Sequence, residues 1–150
     1  SYTFIAVSHT SLSGMASQIG VTVEAIQSDG NTFGSSTSFT ISSATTSRVF
    51  IVRSDHPSIT STSIPSAQFI TGTSNFSHGF IRAGSVATSP TTAVGGGFRD
   101  VTMLSFWGTV VAEQNTTGFA MEFIGDMHDS SAAPDFNSAQ GNDVSGPAAP

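Results

Sequence analysis

FRDVTMLSFWGTVVAEQNTTGFAMEFI, residues 98 to 124, is the stretch whose reading decides the fold. Its first part, Phe98 to Glu113, is long enough for a helix. Its residue types argue otherwise, because Val, Thr, Phe and Trp favour a pleated chain and Gly108 would cost a helix about 1 kcal/mol. The segment reads as two strands, or as one long strand bent near Gly108. Gln114 to Gly118 (QNTTG) then supplies a turn, and Phe119 to Ile124 returns with Phe119, Met121 and Phe123 on a single face. A β-hairpin is therefore expected here.

The same signal, short β-rich runs between clusters of Ser, Thr, Gly and Asn, recurs upstream. Tyr2 to Val7 (YTFIAV) is apolar at nearly every position, the pattern of a strand covered on both faces. Val21 to Gln27 alternates, with Val21, Val23 and Ala25 opposing Thr22 and Glu24. Asp29-Gly30 follows as a tight-turn pair, since glycine tolerates positive φ. Ser38 to Ser43 sets Phe39 and Ile41 against hydroxyls. Arg48 to Arg53 (RVFIVR) holds four apolar β-formers between two arginines and reads as a central strand, while Ala67 to Thr71 and Gly79 to Ala83 are shorter candidates. Roughly eight to ten strands without a βαβ rhythm predict an all-β fold. The expectation is an antiparallel β-sandwich, jelly-roll-like, as a single domain over residues 1–125, with an extended C-terminal arm over 126–150.

Composition narrows the function. In 150 residues, 9% are charged, far below the roughly 25% of a typical domain. Ser and Thr together make up about 30% of the chain, so hydroxyls take over the water-facing positions. Lysine is absent, and the four cations Arg48, Arg53, Arg82 and Arg99 stand against ten acids for a net charge of -6. Such a chain lacks the cationic footprint that binds phosphate backbones or anionic lipid, so neither nucleic acid nor membrane is expected as a partner. Without cysteine there is no thiolate ligand, disulfide or thiol nucleophile.

Candidate chemical motifs are weak. Ser54-Asp55-His56 contains the residue types of a hydrolytic triad, but neighbours along an extended chain point to opposite faces, which separates Asp55 from both others. Asp126-Met127-His128-Asp129 offers two carboxylates and an imidazole, half of a cation site with no second cluster to complete it. His9 and His78 read as inert strand-end or loop residues. Gly95-Gly96-Gly97 lacks the Lys-Ser/Thr that would follow in a phosphate cradle. No catalytic residue, cofactor site or metal site is assigned, and the chain is expected not to be an enzyme.

The aromatic census and the tail carry more. Twelve Phe stand against one Tyr and one Trp, a bias toward dry contact rather than toward aromatics with a polar handle. Beyond Gly125 the chain has Asp126, Asp129, Asp135 and Asp143, no cation, and only Met127, Phe136 and Val144 as sizeable apolar groups. That segment cannot by itself offset about 1–2 kcal/mol of backbone entropy per ordered residue. Either a partner surface or its own domain would have to hold it; a partner is the expectation, with Phe136, Met127 and Val144 as the partner-binding residues.

In composition and β-rich architecture the chain resembles the small subunits that coat, cement or decorate virus particles, tailed-phage heads above all. The resemblance implies a non-enzymatic structural subunit of the virion, a capsid decoration or cement protein. It also implies a homo-oligomer, a trimer for example, with an arm laid over a capsid or other scaffold protein, on a virion or extracellular surface. The alternative is an adhesion or carbohydrate-binding module of a fibre or cell surface, with Trp107 and Tyr2 as stacking residues.

Overall fold

A computed structural model describes residues 1–11, 17–75, 77–87, 93–94, 97–98, 103–114 and 117–128. Their order is β1 (Tyr2–His9), β2 (Gln18–Gln27), β3 (Thr37–Ser42), β4 (Thr46–Arg53), β5 (Gln68–Gly72), β6 (Gly79–Ala87), β7 (Ala93–Val94), β8 (Gly97–Phe98), β9 (Met103–Gln114) and β10 (Thr117–His128). No helix occurs among the described residues. A five-stranded sheet in the order β10-β9-β1-β4-β5 packs against a three-stranded sheet, β3-β2-β6, and β7 and β8 form a small separate ladder. The protein is a β-sandwich.

The period-2 alternation of each strand builds the core. Ile5 and Val7 of β1, Val49 of β4, Ile70 of β5, and Leu104 and Phe106 of β9 point inward from the larger sheet. Ile19, Val21, Val23 and Ala25 of β2 and Ile41 of β3 meet them from the smaller one, with Phe33 filling in from the loop after β2. Shifting any of these strands by one residue would turn its apolar set to water, so burial fixes the register. Opposite faces carry the hydroxyls: Ser8 pairs with Thr46 at 2.7 Å and Thr22 with Ser38 at 2.9 Å, each directly across a ladder. Glu24 and Arg82, also directly opposed, form an exposed ion pair at 2.7 Å.

The hairpin expected over 98–124 forms. Its first arm is one strand, β9, rather than two, and β9 and β10 pair without interruption from Thr117↔Gln114 to His128↔Met103. Gly108 sits within β9 because the Phe123 ring and the Phe4 carbonyl occupy the space a Cβ would take. The turn at Asp29-Gly30 also forms: Gly30 has φ of 86° and its N–H donates to the Gln27 carbonyl at 2.9 Å, while Asp29 accepts from the Asn31 N–H at 3.0 Å.

One pairing departs from an all-antiparallel sandwich. β4 and β5 run parallel, in register Val49↔Gln68 to Arg53↔Gly72. A parallel pair needs a crossover of a dozen or so residues, and the segment 54–67 supplies it without a helix, through turns closed by His56 N–H to Arg53 (3.1 Å) and Ile64 N–H to Thr60 (3.0 Å). His56 in this crossover meets the Tyr2 ring edge-on at 6.0 Å, which places it over the outer face of the larger sheet. Phe50 and Val52 are buried there although they point away from the core. The aromatic row Trp107, Phe4, Phe50, Phe69 runs across the same face, with centroids 5.5, 5.1 and 5.5 Å apart.

Candidate functional site

The chemistry-bearing residues singled out in the sequence take separate structural partners. The Ser54 N–H donates to the Gly72 carbonyl at 3.0 Å, and the Asp55 carboxylate accepts from Arg53 at 2.8 Å. His56 Nδ1 accepts the N–H groups of Ser58 (3.2 Å) and Ile59 (3.0 Å), so the hydrogen of the neutral ring lies on Nε2. That nitrogen faces the Glu113 carboxylate at 3.4 Å. The Ser1 ammonium, hydrogen-bonded to Glu113 at 3.0 Å, and then His56 hold the Glu113 carboxyl below its ordinary range. His56 thus ties the crossover to the end of β9.

His9 is the last residue of β1 and is buried, its Nδ1 accepting the Ser11 N–H at 3.0 Å. The His78 carbonyl accepts the Ser28 N–H at 2.8 Å. Asp126 accepts the Ser105 hydroxyl at 2.7 Å. Tyr2 is half-buried against Phe50 and His56. Trp107, the other candidate stacking residue, has its ring edge-on to Phe4 and keeps 41% of its surface exposed.

The feature that the sequence did not single out is the edge formed by β10. Phe119, Met121 and Phe123 share the core-facing side of this strand, as expected. Phe123 lies against Phe106 with centroids 6.0 Å apart. Further along the same stripe, Met121 and Phe119 remain 58% and 62% exposed. The other side of the strand carries Ile124, 79% exposed, directly opposite Trp107. β10 is the outermost strand of its sheet, and among the described residues no strand pairs with its free side.

Natural sheets protect such edges with Lys, Pro, bulges or short strands. Residues 117–128 contain no Lys, Arg or Pro, and the ladder to β9 has no bulge. The strand is twelve residues long. Among the described residues it therefore combines unpaired backbone groups with bare apolar side chains on both of its faces.

Of the three residues expected to bind a partner, Met127 lies on β10 opposite Leu104, so the first three residues of the expected arm, Asp126 to His128, continue the strand. Phe136 and Val144 lie outside the described residues. Asp129 and the Gly95-Gly96 pair do so as well. Compared with protein-family models, curated proteins and solved structures, the chain finds no match.

Proposed function

We propose that this protein is a non-enzymatic structural subunit of a larger assembly, a virion decoration or cement-type component working on a particle or extracellular surface. The observation that carries the reading is the apolar edge at β10, where Phe119, Met121 and Ile124 stand bare on one strand. A surface of that kind marks a protein contact. The hydroxyl-rich exterior and the absence of Lys agree with a chain whose durability comes from packing against neighbours. In this reading residues 129–150, with Phe136 and Val144, extend the contact as an arm over a scaffold protein.

The test compares the full chain with one ending at His128, by sedimentation velocity and electron microscopy of the assembled state. The shortened chain is expected to keep its β-type circular dichroism and to lose higher-order assembly. Identical assembly by the two chains would sink the arm's role.

A carbohydrate-binding module is the second reading, favoured by the part-open ring of Trp107 on the outer sheet face. Indole faces stack on sugars through an apolar surface with a polar rim. Binding in a glycan array that disappears with Trp107→Ala would support it over the first.

A further inference from the structure

We infer that the free edge of β10 pairs with the same edge of a second copy, antiparallel about a two-fold axis through Met121, joining the two larger sheets into one. The inference deepens the structural-subunit reading by naming the first neighbour as this chain itself.

The placement of the exposed residues points to a strand rather than to a ligand lying on the surface. Phe119 and Met121 are bare on one face of β10, and Ile124 on the other. A partner seated on either face would leave the opposite one in water. A strand added edge-on flanks both faces at once and also satisfies the unpaired backbone groups.

The pattern of β10 is complementary to itself when paired about Met121. Pairing about Met121 sets Met121 against its own copy, Phe119 against Phe123, Ala120 against Glu122, and Gly118 against Ile124. Large side chains thus face small ones on the outer side, and an aromatic pair forms on the inner side, the kind of cross-strand contact that stabilises ladders. A register about residue 122 opposes the two Glu122 carboxylates. One about residue 124 opposes Glu122 to Asp126, and both are penalised by like charge. The register about Met121 leaves the two Glu122 groups on a diagonal about 7–8 Å apart, where salt screens them.

The area is that of a small, concentration-dependent contact. Taking about 200 Å² for each large side chain, the exposed fractions of Phe119, Met121 and Ile124 leave about 400 Å² of apolar surface bare per copy. Two copies hold at most about 800 Å² of such surface, of which edge-on pairing covers the flanks, and with the paired backbone over residues 117–125 the contact has the size of a small interface at the low end of the range. An isologous pair of this type closes on itself rather than growing into a fibre.

The absence of cysteine makes the register directly measurable. Met121→Cys places two thiols directly opposite one another and is expected to give a disulfide-linked dimer on oxidation. Ile124→Cys, whose copies stand six residues out of register, is expected to stay unlinked under the same conditions. By light scattering during gel filtration the full-length wild type is expected to run as a dimer that tightens with salt. Met121→Lys should run as a monomer with unchanged circular dichroism.

A wild-type chain monomeric at every concentration reached would overturn the pairing. So would a dimer untouched by Met121→Lys, or cross-linking of both cysteine variants alike. These results are separable from the test of the structural reading, because the chain ending at His128 retains the whole of β10. Loss of assembly on shortening, together with an unlinked Met121→Cys, would keep the subunit reading and discard this partner.

Discussion

Replacing Gly108 by alanine tests how closely the larger sheet is packed at its centre. In an ordinary strand position the change restricts the unfolded chain and by itself stabilises by about 0.5–1 kcal/mol. At Gly108 an added Cβ would lie 2.5 Å from the Phe4 carbonyl oxygen and still closer to the end of the Phe123 ring. The ring can tilt away. The carbonyl cannot, because β1 is clamped between β4 and β9 with Ile5 directly opposite Gly108. Relief requires β1 and β9 to separate by several tenths of an ångström in the middle of the ladder.

Overpacking of this sort costs about 1–3 kcal/mol, which outweighs the entropic gain and leaves a net loss of about 1–2 kcal/mol. For a chain of this length the melting temperature should fall by about 3–6 °C. Urea unfolding followed through Trp107, the single tryptophan, is expected to show a lower midpoint with an unchanged slope. In a Phe123→Leu background the same substitution should cost less, with a coupling of about 1 kcal/mol, since the ring's share of the clash has gone. Equal or greater stability of Gly108→Ala, or strict additivity with Phe123→Leu, would refute the reasoning.

The turn after β2 makes a complementary prediction. Nothing lies near a Cβ built at Gly30, so only its φ of 86° resists substitution. Gly30→Ala should therefore cost about 1 kcal/mol in thermal or urea unfolding, and Gly30→Asn distinctly less, because asparagine tolerates the left-handed region. At the far end of β9, the Glu113 carboxyl is held below its ordinary range by the Ser1 ammonium and then by His56. A depressed folded-state value means that its contribution is complete above the ordinary carboxylate range and is lost as pH falls through the depressed one. Acid titration of stability should consequently be shallower for Glu113→Gln than for wild type, with the curves differing at neutral pH and converging in acid. Parallel curves would count against that contact.

The alternation in Val21, Val23 and Ala25 and in Phe39 and Ile41 determined which of these residues face the core, because a strand's two faces are written in its own period of two. The hairpin of β9 and β10 and the turn at Gly30 were legible for the same local reason: turn chemistry and β-propensity act over a few residues. Sequence also gave the hydroxyl-for-charge exchange that the Ser8–Thr46 and Thr22–Ser38 pairs realise. A period of two says nothing about which strand lies beside which. Only the tertiary structure decided that β4 and β5 run parallel, that Phe50 and Val52 are buried on the outer face although they point away from the core, and that β10 falls at an edge where Phe119 and Met121 stay exposed. Those outcomes depend on contacts between residues far apart in the chain, whose closure and burial terms are settled together and leave no mark on any single segment.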